Sequence, residues 1–202
     1  FREAISYYDL TYRASIQAGD IIHMTVSAAY KAYMLLLTGT NLSECKARAE
    51  QTIALSTQMN CAIPLLLTEL ILHTISKLHT SAEQNTPPDA ESDREMAKKV
   101  EAAHNGTYLC KFYITMTIAC YIIGEYDQAN EWNKQAGVLI STSLGDYLLP
   151  DHYLFTGLLL IRQWKTAQPE KRSAVYDTLL LIRQKLKNWS DNCPENFSHK
   201  YL

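Results

Sequence analysis

The chain has 202 residues, of which 47% are hydrophobic and 20% are charged, and its formal net charge is -2 at pH 7. This length allows one sizeable core or one short helical array. Because the chain has only 7 glycines and 6 prolines, a barrel or sandwich with many tight turns is disfavoured. No long block of lysine or arginine appears, so the composition favours neither a nucleic-acid surface nor an anionic-membrane surface.

The cysteine content and the start of the chain indicate the cellular setting. The five cysteines are odd in number and include no Cys-x-x-Cys pair, which is typical of reduced thiols in a cytoplasmic protein. The chain begins at Phe1 with residues of helical character, without an initiator methionine and without a visible signal peptide. We therefore expect a piece of a larger cytoplasmic protein.

Apolar residues in the first half recur every three or four positions, a period that predicts amphipathic helices. Gly19 and Gly39 are expected to end the first two helices. Asp20 and Ser43 are placed to cap the helices that follow. The apolar positions of the four predicted helices are, in chain order, Ile5, Tyr8, Tyr12 and Ile16; Ile22, Val26, Ala29, Tyr33 and Leu36; Cys45, Ala49 and Ile53; and Ile63, Leu67, Ile71, Ile75 and Leu78.

The composition changes at residues 80–93. This segment has no apolar residue larger than alanine and contains Pro87-Pro88, so we predict a flexible surface loop. Acidic residues in and just after the segment precede Lys98, an order that suits the start of a helix, and we expect them to be solvated. These acidic residues are Asp89, Glu91, Asp93 and Glu95.

The helical period resumes after the loop and continues almost to the end of the chain. Asn105-Gly106 is expected to interrupt it, and Asp151 is expected to cap a later helix. Residues 190–202 are predicted to be a linker into a further helix, which Asn196 would cap. No strand is predicted. The sequence thus favours an all-α protein of antiparallel helical hairpins, stacked as an α-solenoid in a single domain over residues 1–202.

The segment from Gly124 to Ala129 resembles the turn between the two helices of a tetratricopeptide repeat (TPR). Gly124 permits a left-handed turn, Tyr126 can plug the hairpin, and Ala129 lets two helices approach closely. Thr117 and Asn133 depart from the repeat consensus, which indicates degenerate, TPR-like repeats. The predicted structural turn motif consists of Gly124, Tyr126, Asp127 and Ala129.

The last sixteen residues, from Lys187 to Leu202, are similar to a segment of very large hybrid kinases. Upstream features follow the same order: Gly19-Asp20, His104-Asn105 before Tyr108, Lys111 before the turn motif, and Asp151-His152-Tyr153 before Leu158-Leu159-Leu160. Those kinases combine a serine/threonine kinase domain, a P-loop ATPase domain, a helical-repeat region, a GAF sensor and a histidine kinase. The resemblance implies that this chain is the C-terminal part of the repeat region, and the catalytic residues of the family lie outside it.

This resemblance implies a non-catalytic interaction or relay module of a signal-transduction kinase, which couples an ATPase module to sensor and kinase domains. The full-length protein would be a serine/threonine kinase, a histidine kinase or both. The expected partners are other domains of the same chain, a regulatory protein, or a second copy docked at a repeat end, and no nucleic acid, membrane or cofactor is expected.

Two other hypotheses stay open. A free-standing TPR-like peptide-binding adaptor would need a groove of polar and aromatic side chains on one inner face. An enzyme with an unrecognised helical active site would need a deep pocket with convergent ionisable groups.

The candidate site residues are tyrosines. Thirteen occur, and an early cluster forms a candidate aromatic interaction surface, although tyrosines can equally fill hairpin cores. No catalytic, cofactor-binding or metal-binding residue is predicted, because P-loop and kinase signatures are missing and Glu69 with His73 supplies only two ligands. His104 and His152 are expected to order a turn or a helix start. The clustered tyrosines are Tyr7, Tyr8, Tyr12, Tyr30 and Tyr33.

Overall fold

The chain is predominantly helical in the ranges that the computed structural model describes, residues 2–84, 90–166 and 168–201. Ten α-helices and one short 3-10 helix lie in these ranges, and no strand does. The predicted all-α class is therefore confirmed. The elements are α1 (Arg2–Ala18), α2 (Ile21–Leu37), α3 (Leu42–Gln58), α4 (Ala62–Gln84), α5 (Ala90–Glu101), α6 (Gly106–Ile122), α7 (Tyr126–Leu139), the 3-10 helix (Ile140–Ser143), α8 (Leu149–Thr166), α9 (Pro169–Asn192) and α10 (Pro194–Tyr201).

Aspartate and asparagine side chains cap several helix starts. Asp20 accepts a hydrogen bond from the backbone N–H of His23, as predicted for the start of α2. Asn105 caps α6 in the same manner, at the predicted interruption. The predicted cap of α3 was wrong, because Asn41 precedes that helix and accepts a hydrogen bond from the backbone N–H of Ser43. Each such cap satisfies an otherwise unpaired amide and stabilises the fold by about 0.5–2 kcal/mol.

The chain contains two compact units, Phe1–Val100 and Glu101–Leu202. In the first unit, helix α2 contacts α1, α3 and α4, so the hairpins α1–α2 and α3–α4 share it as a common support. Small residues such as Ala29 and Ala32 let the neighbouring helices approach α2 closely. The buried apolar residues around this support include Ala29, Ala32, Tyr33 and Met34 of α2 and Leu67, Leu70 and Ile71 of α4. The stacking of the hairpins as a solenoid, and the single domain, stay predictions.

Helices α4 and α5 occupy most of the predicted loop. Helix α4 continues to Gln84 and α5 begins at Ala90, so the loop predicted over residues 80–93 was too long at both ends. Alanine, glutamate and glutamine are good helix formers, and a polar composition does not by itself exclude a helix. Residues 85–89, which include Pro87-Pro88, lie outside the described residues.

The second unit is built around α6, which contacts α7, the 3-10 helix and α8. Ten consecutive or nearly consecutive residues of α6 are buried, which is typical of a helix covered on several sides. Phe112 and Tyr113 contact the Trp132 ring of α7, with ring centroids 5.6 and 5.7 Å away. Helix α8 packs on α7, and α9 and α10 both pack on α8. Each helix of this unit from α7 onwards therefore packs against at least one earlier helix of the unit.

The start of α8 differs from its prediction. Helix α8 begins at Leu149, so Asp151 lies inside its first turn. Instead of capping the helix, the Asp151 carboxylate accepts a hydrogen bond from Lys200 Nζ, and both side chains are largely buried. This ion pair attaches α10 to α8.

The predicted linker is also largely helical. Helix α9 continues to Asn192, and α10 begins at Pro194, so residues 190–192 belong to α9. Proline suits the first turn of α10, because its φ angle is already helical and its missing N–H needs no partner there. Asn196 therefore lies within α10 and does not cap it. Only Cys193 separates the two helices.

Gly124 and Gly137 of the second unit differ in backbone conformation, and neither is crowded by neighbouring atoms. Gly124 has φ +87° in the turn between α6 and α7, whereas Gly137 lies inside α7. Beyond the adjacent backbone, no heavy atom lies within 4 Å of the position that a Cβ would take at either residue. Gly124→Ala should lower the free energy of unfolding by about 1–2 kcal/mol, because L side chains disfavour this region. Gly137→Ala should raise it by about 0.5–1 kcal/mol, because alanine favours the helix.

Urea unfolding followed by tryptophan fluorescence measures both changes, because all three tryptophans lie in the second unit. The fluorophores are Trp132, Trp164 and Trp189. Unchanged or increased stability of Gly124→Ala would contradict the left-handed turn at Gly124, and destabilisation by Gly137→Ala would contradict the prediction for the helical glycine.

Candidate functional site

A groove of about 710 Å³ lies in the first unit between α1 and α3, and α2 forms its floor. Helices α1 and α3 both pack on α2. Ser27 and Ala28 on the floor are small, so they leave space between the two walls. The volume is within the range of ordinary ligand sites, about 300–1,000 Å³. The wall residues include Tyr8, Tyr12 and Arg13 of α1 and Arg48, Gln51 and Ala54 of α3.

Three cationic side chains and one carboxylate line this groove. Lys31 Nζ lies 2.5 Å from Asp9 Oδ1, so this ion pair neutralises itself and ties α1 to α2. Arg13 and Arg48 are exposed on opposite walls, and Arg48 donates a 3.3 Å hydrogen bond to Gln51 Oε1. The groove therefore carries surplus positive charge, although the formal net charge of the chain is -2.

Two of the five predicted tyrosines, Tyr8 and Tyr12, line the groove on its α1 wall. The Tyr8 ring stacks on Tyr30 of α2, with ring centroids 6.0 Å apart. Tyr7 does not line the groove and is 66% exposed, while Tyr33 is completely buried in the core. The predicted tyrosine set therefore does not form one surface, because Tyr7 is exposed outside the groove and Tyr33 lies in the interior. Whether Tyr8 and Tyr12 contact a partner stays a prediction.

The groove residues Arg13, Arg48 and Gln51 were not predicted from the sequence. The two arginines are far apart along the chain, and only the packing of α1 and α3 on α2 brings them to one groove. A local signal exists on α3, where Arg48, Gln51, Leu55 and Gln58 recur at helical spacing. That spacing marks a polar helix face but does not show what the face opposes.

The predicted turn motif joins α6 to α7 as a hairpin. Gly124 adopts a positive φ, and Ala129 is completely buried where the two helices approach each other. Asp127 is exposed in the first turn of α7, where a negative charge suits the positive end of the helix dipole. These residues therefore lie in and next to the connection between α6 and α7.

Tyr126 has a further contact besides its place in the turn. Its ring meets the Tyr121 ring edge to face, with centroids 5.2 Å apart. The Arg162 guanidinium of α8 lies 3.3 Å from the centroid of the Tyr126 ring. Such a cation–π contact contributes about 0.5–1 kcal/mol at an exposed site. The turn therefore also contacts the helix that follows α7.

Asp93 of α5 is buried, so the expectation that this acidic residue is solvated was wrong. Its Oδ1 lies 2.8 Å from His73 Nε2, and its Oδ2 accepts a 2.8 Å hydrogen bond from Lys77 Nζ. Burial raises the pKa of Asp93, but the hydrogen bonds from His73 and Lys77 outweigh burial and bring that pKa below its ordinary value. Asp93 therefore stays ionised and joins α5 to α4.

His152 of α8 is buried, with 6% of its surface exposed. Its ring lies edge to face with Tyr153, and its Nδ1 has no hydrogen-bond partner among the described residues. Desolvation by burial lowers the pKa of His152 from an ordinary 6.5 to about 4. The imidazole is therefore neutral at pH 7 and packs as part of the interior.

The part of the chain that the structure describes has neither a metal-binding cluster nor a membrane-spanning helix. No group of three or more histidine, cysteine, aspartate or glutamate side chains there is arranged to hold a metal ion. No disulfide joins the cysteines of this part of the chain, which are Cys45, Cys61, Cys110, Cys120 and Cys193. In the same part of the chain, no helix combines the length and the apolar composition that crossing a bilayer requires.

No family model, no curated protein and no solved structure matches the chain. The resemblance to the helical-repeat region of hybrid kinases therefore rests on the sequence features given above and stays a prediction. The fold and the groove are described from the structure alone.

The buried His152 predicts a pH dependence for the second unit. Between pH 6.5 and pH 4 the unfolded chain binds a proton at this residue that the folded chain does not bind, so stability should fall as the pH drops. The loss through this window should be about 2–3 kcal/mol. His152→Leu should remove most of it, measured by urea unfolding with tryptophan fluorescence at a series of pH values.

The matched control is His199→Leu, because His199 is exposed on α10 of the same unit. That variant should retain the pH dependence of the unsubstituted chain. If His152→Leu retains it as well, the burial of a neutral imidazole is not its cause.

Proposed function

We propose that the chain is a non-catalytic helical-repeat interaction module of a multidomain, cytoplasmic signal-transduction kinase. In this role it couples an ATPase module to the sensor and kinase domains. The observation that carries the interaction part of the proposal is the groove between α1 and α3. The kinase setting is supported by the sequence resemblance alone.

The construction of the groove suits binding of a protein segment. Both walls rest on α2, so their spacing depends on a buried helix. Tyr8 and Tyr12 offer large side chains with few rotatable bonds, which lose little conformational entropy on binding. Arginine and tyrosine are also the residue types most enriched at energetically important interface positions. The groove therefore has a composition that favours protein recognition.

The ionisable groups of the groove favour binding over catalysis. Among its described lining residues there is no histidine, cysteine or glutamate. Asp9 is paired with Lys31, and arginine is not a residue type that accepts or releases protons in catalysis. A proton-transfer mechanism needs a group that changes its protonation near the operating pH. This composition supports a non-enzymatic role for the groove.

The same groove supports a second candidate function, a free-standing peptide-binding adaptor. That hypothesis requires polar and aromatic side chains gathered on one inner face, and Tyr8, Tyr12, Gln51 and Gln58 line one groove. The two candidates differ in what the groove controls. A relay module transmits occupation of the groove to a kinase in the same chain, whereas an adaptor does not.

Occluding the groove tests the interaction proposal. Ala54 is an exposed wall residue of α3, so Ala54→Trp should fill the groove without disturbing the core. Thr57→Trp is the matched control, because Thr57 is exposed on the same helix and does not line the groove. On an array of immobilised random-sequence peptides, we expect the unsubstituted chain and Thr57→Trp to be retained by the same subset. We expect Ala54→Trp to bind that subset at least about tenfold more weakly, a difference of about 1.4 kcal/mol.

Retention of the same peptides by Ala54→Trp, or of none by the unsubstituted chain, would overturn the proposal. The full-length protein then separates the two candidates. A relay predicts that Ala54→Trp, but not Thr57→Trp, changes kinase activity, and an adaptor predicts that neither does.

A further inference from the structure

We propose that the groove between α1 and α3 binds an extended acidic segment of a partner protein. Carboxylates of that segment would pair with Arg13 and Arg48, and its apolar side chains would lie against Tyr8 and Tyr12. This inference rests on the proposed function, because it names the chemistry of the partner for the same groove.

The charges of the groove carry this inference. The Asp9–Lys31 ion pair is complete within the protein, so it offers no net charge to a ligand. The Arg48 hydrogen bond goes to the neutral amide of Gln51 and leaves the positive charge uncompensated. Two guanidinium groups on opposite walls therefore remain for a partner. Each can bind a carboxylate with two parallel hydrogen bonds, which lysine cannot do.

Acidic residues near Arg48 on α3 do not cancel its charge. Glu50 Oε1 lies 3.9 Å from Lys46 Nζ, and these two residues form an exposed ion pair on α3. Glu44 is one turn before Arg48, and no ion pair joins these two residues in the described structure. The positive charge at the α3 wall is thus a local feature of a chain that is acidic as a whole.

The shape of the groove favours an extended segment over a single carboxylate ion. Successive side chains of an extended chain point to opposite sides, so one segment can reach both the α1 wall and the α3 wall. The Gln51 oxygen accepts from Arg48, which leaves the Gln51 amide N–H groups to donate to a backbone carbonyl. Tyr8 and Tyr12 supply apolar surface beside the arginines. The combination fits a segment with two neighbouring acidic residues, whose carboxylates point to opposite walls, and with apolar residues beside them.

The test uses three fluorescein-labelled hexapeptides in which two leucines lie between two pairs of identical residues, and the paired residue is glutamate, glutamine or lysine. Fluorescence anisotropy with the whole chain should show that the glutamate peptide binds at least about tenfold more tightly than the other two. Arg13→Gln combined with Arg48→Gln should weaken its binding about tenfold. Raising the salt from 0.1 to 0.5 M should also weaken it, because exposed charges are screened.

The matched control combines Arg94→Gln with Lys98→Gln. Both residues are exposed on α5 of the same unit and do not line the groove, so this pair removes equal charge elsewhere. It should change the affinity less than about twofold, as expected for distant surface charges. A charge-reversed variant, Arg13→Glu with Arg48→Glu, should instead favour the lysine peptide.

The outcomes separate this inference from the proposed function. Equal binding of the glutamate and glutamine peptides, or an unchanged affinity in the double glutamine variant, would overturn the acidic-segment inference. If the peptide array still shows retention that Ala54→Trp abolishes, the groove binds a segment of other chemistry and the proposed function stands. If neither experiment detects binding at the groove, both fall.

Discussion

Burial of helix α2 is the constraint on which the first unit depends. Eight of its residues are buried, because α1, α3 and α4 all pack against it. Burying a large apolar side chain completely contributes about 1.5–3 kcal/mol, so Tyr33, Met34 and Leu35 hold the neighbouring helices firmly. The two walls of the groove therefore take their positions from α2. The only ion pair that crosses from a wall to the floor within the described groove, Asp9–Lys31, adds to the same attachment.

The elements of the fold were predictable from sequence because helix formation leaves a local signature. An apolar stripe every three or four residues, Asp20 before α2, and Gly124 after α6 are each readable within a few positions. The errors were local as well. The polar segment at residues 80–93 was interpreted as a loop, yet its described ends are helical, because alanine and glutamate suit a helix as well as a solvated loop.

Side-chain pairs that join different elements were not predictable, because the two partners are distant along the chain. Lys111 is buried, with 1% of its surface exposed, and it forms an ion pair with Asp146. Its Nζ lies 4.4 Å from the centroid of the Tyr147 ring. Asn133, which departs from the TPR consensus, accepts a hydrogen bond from Thr156 of α8. Neither the hydrophobic periodicity nor a helix-capping residue in the sequence indicates such pairs. The groove was not predictable for the same reason, because only tertiary packing brings Arg13 and Arg48 to opposite walls of one groove.

The apolar core and the α3 wall of the groove are built by different helices in the first unit. The four buried residues of α3 are small, Cys45, Ala49, Thr52 and Ser56, so this helix adds little apolar burial to the core that α2 and α4 build. Other positions of α3 carry Arg48, Gln51 and Ala54, which line the groove wall. Exposed substitutions of this kind usually change stability by less than about 0.5 kcal/mol. The chemistry of the groove can therefore vary while the support beneath it stays the same, which is the property that an interaction module requires of its scaffold.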